Sequence, residues 1–226
     1  MIFLELSDYS LKSDSLGSGI NPCFFSARKG EIWRVESNNV NDLHLLLSGI
    51  ATLSYPVQGT YIFDGARLNF SDYRHLLGIK KRIGYIASDA TLISNRTIRE
   101  NIIINRTYFE NDLSLELKEN ERDICDSFGI NDVLDVRPVA LKPPDFRKAI
   151  LIRELIKKPD VIIIEYPVEF AGHDIMGVLI SHLIDAISSG AVLIYSSYNK
   201  EFVNEFTHNT LSINNGWITK TYPSET

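Results

Sequence analysis

The sequence predicts an α/β protein built on a parallel sheet with helices on its faces. Three observations carry this. From residue 161 onward, strand-sized apolar runs (VIII at 161–164, AVLIY at 191–195) alternate with helical segments, the order that produces a parallel sheet. Before residue 90 the chain is rich in strand-like runs separated by turn signals. Between them, over about residues 95–150, charged amphipathic segments predict a helical insertion.

Taken in order, IFLELSDYSL alternates loosely and reads as an edge strand. PCFFSARKGEIWRV (22–35) reads as two short strands joined by an Arg-Lys-Gly turn. VNDLHLLLSGI (40–50) has helical spacing, with Leu43, Leu46 and Leu47 on one face. A turn over Ser54–Gly59 leads into TYIFDG, a strand closed by an Asp-Gly turn, and RIGYIA (82–87) is a further strand. TIRENIII and LSLELKENERDICDSFGI read as charged helices. PDFRKAILIRELIKKPD (144–160) is a helix with proline at its start, Asp145 early, and Lys157 and Lys158 where the dipole favours cations. The remainder reads as a strand at 161–165, a helix (MGVLISHLIDAISSG), a strand (AVLIYSS), a helix (NKEFVNEFT) and a hairpin, TLSINNGWITK, turned at Asn-Gly.

The chain has 226 residues, 44% apolar and 23% charged, enough to bury a substantial core. A net charge of −6 gives no electrostatic footprint for nucleic acid. No apolar run approaches the ~20 residues of a membrane span, so direct membrane insertion is not expected. MIFLELSDYS has no basic lead and carries acids early, unlike a signal peptide. Cys23 and Cys125 are isolated, and small buried thiols in a reducing cytosol are the expectation. The histidines at 44, 75, 173, 182 and 208 have no metal-ligand spacing, and Ser196 and Ser197 lie in no Gly-x-Ser-x-Gly elbow. His173 and Asp174 read as a solvated loop. The run KENERD (118–123) reads as a solvated helix face.

The words KGEIW (29–33), LLLSGI (45–50), QGTYIFDG (58–65), IGYIASD (83–89), TIRENI (97–102), AILIRELIKKPDVIII (149–164) and LSINNGWI (211–218) occur in the order of one family's framework. Over nearly its whole length the chain resembles the nucleotide-binding subunit of an ATP-binding cassette (ABC) transporter. The resemblance implies a single domain over 1–226. Its parts would be a RecA-like core, an antiparallel β-subdomain and a helical subdomain at about 95–150. It further implies a dimer, a membrane permease as partner, and a location on the inner face of the plasma membrane through partner subunits. The words EYPVEFAGHDIMGVLISHLID resemble the ATPase subunits of Mla-type phospholipid transporters, through the Met176–Leu179 run.

The chemistry of that family is missing where the resemblance implies it. Polyphosphate needs backbone N–H groups, close-approach glycines, a lysine and a hydroxyl. RVESNNVNDLH (34–44) stands there instead, shorter than the family's loop, with no glycine or lysine, and with Glu36 and Asp42 as acids where phosphate would lie. DVIIIEYPVEF ends its strand in Glu165, which could reach a metal, but Tyr166 stands where a second carboxylate would polarise water; a phenol of pKa about 10 is a poor base. The phosphate-clasping signature falls on LKPPD (141–145): Pro143 and Pro144 have no N–H, Asp145 is repulsive, and Lys142 is a point charge. The family's linking glutamine falls on Ser88, its switch histidine on Ser197 or Tyr198, and its aspartate near Gly172, with Asp174 as a shifted substitute. Its adenine-stacking aromatic falls near Ser13, with Tyr9 as an alternative.

Framework without chemistry predicts a pseudo-ATPase, with no catalytic, cofactor-binding or metal residues and no cofactor. Its expected partners are an ABC permease and an active ABC ATPase subunit. Two alternatives stand beside this reading. One is an active ABC ATPase using Glu165, Asp174 and Lys142. The other is a soluble interaction module without a transporter. Part of the apolar surface of residues 91–109 is expected to meet a partner, the rest packing inside the helical subdomain.

Overall fold

In the computed structural model, residues 2–13, 17–206 and 208–222 are described. Two sheets dominate. The first comprises β1 (Ile2–Leu11), β2 (Ile20–Arg28), β4 (Gln58–Phe63) and β5 (Ala66–Arg67) in the order β2-β1-β4-β5, all antiparallel. Strand β1 is therefore not at an edge. It pairs with β2 on one side and with β4 on the other. This corrects the sequence expectation, because alternation reports which face is buried and not how many neighbours a strand has.

The second sheet has the order β10-β9-β3-β8-β7-β6. Its strands are β3 (Ile32–Ser37), β6 (Ile83–Ile86), β7 (Val161–Glu165), β8 (Val192–Ser196), β9 (Asn209–Asn214) and β10 (Trp217–Thr221). Strands β6, β7, β8, β3 and β9 run parallel, and β10 returns antiparallel to β9. Two hairpin turns match their residues. Asp64-Gly65 and Asn215-Gly216 all take positive φ, as a two-residue turn following the strand twist requires.

Helices cover the sheet: α1 (Val40–Ile50), α2 (Tyr73–Lys81), α3 (Ile98–Ile102), α4 (Ile104–Glu110), α5 (Glu119–Phe128), α6 (Pro143–Leu155), α7 (Pro167–Ala171), α8 (Met176–Ser188) and α9 (Lys200–Asn204). The expected helix at 144–160 closes at Leu155, with Lys157 reaching back to Glu154 and to the Ile83 carbonyl. The middle of the chain is helical as expected, but in short pieces. Thr97 and Glu100 form a capping box at α3, and residues 111–117 are not helical.

Strand β7 divides the core. Val161 and Ile163 face one hydrophobic cluster with α1, α2 and the antiparallel sheet. Ile162 and Ile164 face the other, with residues from α3, α5, α6 and α8. All four are fully buried. A continuous β-branched run buried on both faces is the expected texture of an interior parallel strand. Cys23 and Cys125 are buried free thiols. Among the described residues, no helix is long and apolar enough to cross a membrane.

Candidate functional site

The site follows from the sheet. Parallel strands present their carboxyl ends together, and ligand sites of open α/β sheets form there. Here β3, β8 and β7 are adjacent and end at Ser37, Ser196 and Glu165.

Only Asn38 and Asn39 separate β3 from α1. Asn39 caps the helix, its side chain accepting the Asn41 N–H at 2.9 Å. No loop projects outward to wrap a ligand. Asp42 does not point to this end of the sheet as an exposed charge. It is 1% exposed, and its Oδ1 accepts the Gly19 N–H at 3.0 Å. This corrects the expectation that Asp42 places negative charge at the strand end. Glu36 does remain there, paired with Arg34 at 2.7 Å.

Glu165 is 1% exposed, and both its oxygens are engaged. Oε1 accepts from His44 Nδ1 at 2.9 Å and from the Tyr85 hydroxyl. Oε2 accepts from the Ser88 N–H at 3.0 Å and the Ser88 hydroxyl at 2.8 Å. Burial pushes the carboxyl pKa upward, but the bonds from His44, Tyr85 and Ser88 outweigh it and hold it below the usual range. The same hydrogen bond with Glu165 raises the His44 pKa against the opposing effect of burial.

These opposite shifts set a pH window. Glu165 stabilises the fold above its ordinary pKa of about 4.3, and that contribution is lost as pH falls through its lowered folded value. His44 stabilises it below its ordinary pKa of about 6.5, and that contribution fades as pH rises through its raised folded value. The stability difference between the parent chain and His44→Gln should therefore be larger at pH 6 than at pH 8.5. Urea unfolding at both values checks this; an equal difference would exclude the charged pair as its source.

Tyr166 opens α7 in the left-handed region, at φ 49°, and its ring stacks on Tyr198 with centroids 5.4 Å apart. Burial, then the neighbouring Tyr198 hydroxyl, pushes its pKa above the ordinary phenol value. The phenolate of Tyr166, the form that could act as a base, is thus even scarcer near neutral pH here than in water. At α6, Pro143 and Pro144 fill the first turn, and Asp145 pairs with Lys148 at 3.2 Å. Lys142, the residue before the helix, is exposed.

A search for protein-family models matches none to the chain. Curated relatives do match. The chain is 20% identical over 200 residues to the L-cystine import ATP-binding protein TcyC of Bacillus subtilis, covering 87% of this chain and 81% of that one. It is 27% identical over 146 residues to the ABC transporter ATP-binding protein YxdL of the same organism, covering 63% and 56%. Among solved structures, a dimeric ATP-binding cassette in a post-hydrolysis state, bound to ADP and Pi, superposes with a TM-score of 0.81 at 14% identity over 97% of this chain and 98% of that one. The fold is that of an ABC transporter ATP-binding subunit.

Within this ABC cassette fold, the structure brings some predicted residues together and separates others. Ser88 sits on Glu165, and Tyr198 sits on Tyr166. Ser197 is buried, its carbonyl accepting from Arg34 and its hydroxyl from the Asn199 N–H. Asp174 lies exposed in a 3-10 turn beyond Gly172. Tyr9 is fully buried and hydrogen-bonded to the Gly49 carbonyl, so it presents no face for stacking. Ser13 accepts the Gly17 N–H. Among the described residues no cluster of His, Cys, Asp and Glu has the makings of a metal site.

Sequence reasoning missed His44 and Tyr85. A histidine on a helix and a tyrosine in a strand carry no local signal for a partner 121 or 80 residues away.

Proposed function

We propose that the protein is a catalytically degenerate ABC transporter subunit. It completes a dimer of cassette subunits and docks on a membrane permease, in a structural or regulatory role. The observation that carries this is the passage from β3 to α1 in two residues, with the helix capped by Asn39. Without glycines, a lysine or a ring of free N–H groups, this connection cannot cradle a triphosphate. Three further features agree. Glu165 is consumed by protein donors, Tyr166 is a poor base, and the first turn of α6 lacks two N–H groups.

Docking on a permease is supported by an aromatic patch. Tyr55, Tyr73 and Tyr108 are each more than half exposed, and Tyr73 meets Tyr108 through their hydroxyls. Tyr55 adds an edge contact to Phe70 at 5.6 Å, and Tyr108 one to Phe109 at 5.1 Å. The patch therefore joins α2, beside the core, to α4 in the helical part of the chain. Exposed clustered tyrosines are the composition of a protein interface, not of a solvated surface. Leu92, Ile98, Ile102 and Ile103 are buried, so within residues 91–109 the apolar partner surface narrows to Ile93, Ile104, Tyr108 and Phe109.

The cargo proposed for this transporter is phospholipid, on the resemblance carried by the Met176–Leu179 run. In the fold that run opens α8 and buries only Leu179. The location on the inner membrane face follows from the permease contact.

The test is affinity purification from native cells in mild detergent, with mass spectrometry of proteins and lipids, beside ATP titration of the isolated chain. Expected are a permease, a second cassette subunit with intact motifs, bound phospholipid, and no ATP binding at millimolar nucleotide. ATP hydrolysis abolished by Glu165→Ala would overturn the catalytic part. Recovery of the chain alone would overturn the transporter part.

A further inference from the structure

At the carboxyl ends of β3 and β8, beside the start of α7, lies a cavity of about 190 Å³. Its walls include Arg34, Glu36, Asn38, Tyr166, Ser196 and Tyr198. Three buried groups on these walls are left without a hydrogen-bond partner: Arg34 Nε, Ser196 Oγ and the Tyr166 hydroxyl. Ser196 is 1% exposed. Native interiors leave few such groups, because each costs the hydrogen bond it had in water.

Both terminal nitrogens of the guanidinium are engaged. Nη1 pairs with Glu36 Oε1 at 2.7 Å, and Nη2 donates to the Ser197 carbonyl at 3.1 Å. Arg34 is therefore held in place by its two terminal nitrogens while its buried Nε–H stays unpartnered. The spare Nε–H can only donate, and a serine hydroxyl donates as readily as it accepts. The Tyr166 hydroxyl is a third group able to donate. Three such groups on one small cavity call for an oxygen acceptor, and the guanidinium favours an anionic one. Size and charge narrow the class. The cavity is smaller than the ~300–1,000 Å³ of ordinary ligand pockets. Glu36 on its wall offsets the Arg34 charge and disfavours a polyanion. The rings of Tyr166 and Tyr198, stacked on each other, supply an apolar surface beside the Tyr166 hydroxyl.

We propose that this cavity binds a small monocarboxylate of amino-acid size, the carboxylate seated on Arg34 Nε and Ser196 Oγ. The proposal rests on the loss of the nucleotide cradle described above. It gives the strand ends a non-nucleotide ligand, through which occupancy is felt at Tyr166 and Tyr198.

The experiment titrates the full chain with acetate, glycine, inorganic phosphate and magnesium-ATP, each to about ten millimolar, read by calorimetry and by tyrosine chemical shifts. Saturable binding of acetate or glycine is expected, weakened at least tenfold by Ser196→Ala and by Arg34→Gln. Preference for glycine over acetate would mean that its ammonium reaches Glu36; equal binding would mean that the carboxylate alone is read. Either supports the proposal. Ser196→Ala removes an unpartnered buried hydroxyl, so it should fold at least as stably as the parent. If neither carboxylate saturates, ordered water fills the cavity and the proposal fails. It fails equally if both variants bind as the parent does, or if phosphate binds and the carboxylates do not. ATP binding with carboxylate binding intact would remove the pseudo-ATPase reading and leave this one standing. No binding of any probe would remove this one and leave the pseudo-ATPase reading.

Discussion

Replacing Glu165 with alanine is expected to destabilise the protein by about 3–5 kcal/mol, the cost of breaking a buried charged network by removing one member. The magnitude follows from what is left behind. The Ser88 N–H, the Ser88 hydroxyl and the Tyr85 hydroxyl all lose their acceptor at once. An unsatisfied buried donor costs about 1–3 kcal/mol, and relaxation toward water recovers part of the sum. Chemical denaturation of Glu165→Ala against the parent measures it. Glu165→Gln keeps one acceptor oxygen and the same shape, so it should lose less than the alanine variant. A loss under about 1 kcal/mol for alanine would mean that the four hydrogen bonds contribute little net stability. The expected large loss would instead mark the strand-end carboxylate as a structural joint: it ties β7 to α1 and to the segment after β6, where an active site would need it free.

The second large effect is expected at Trp33. Truncation to alanine should cost about 3–5 kcal/mol, the range for removing a large buried aromatic side chain. Trp33 is 1% exposed on β3 of the parallel sheet. It meets Phe25, on β2 of the antiparallel sheet, edge to face with centroids 5.0 Å apart. It also meets Tyr222 at 5.9 Å, and its Nε1 donates to Glu31. The ring is thus a contact between the two sheets as well as part of a core. The control is the neighbour of its partner. Phe24 is 63% exposed, and its truncation should change stability by no more than about 0.5 kcal/mol. Equal losses at the two positions would refute the packing argument.

What was legible in the sequence was whatever local pattern dictates. The run at 161–164, the leucines of 40–50, the Asp-Gly and Asn-Gly turns and the alternation of strands and helices each carried their own signal, and each element lies where it was expected. The ends of the site were legible for the same reason: Glu165 and Tyr166 close a strand, and two prolines open a helix. What could not be read was pairing across long separations. Strand β1 reads as an edge because its second partner, β4, lies some fifty residues on. Asp42 reads as a surface acid because nothing near it announces Gly19 as its donor. The Glu165 network joins residues 44, 85, 88 and 165 through the sheet, and no periodicity encodes that meeting. The tyrosine patch is likewise assembled from residues 55, 73 and 108.

The strand order has one more consequence, and it concerns the order in which the chain can become itself. Strand β3 ends at residue 37, yet its neighbours in the sheet, β8 and β9, begin only at residues 192 and 209. During synthesis the antiparallel sheet, complete by residue 67, can pair while β3 still waits with both edges bare. Closing loops of that length is slow, and an unpaired apolar strand is a template for any other strand it meets. The stretch from residue 192 onward therefore acts as a latch. Until it emerges from the ribosome, the molecule is a finished small sheet attached to an exposed aggregation hazard.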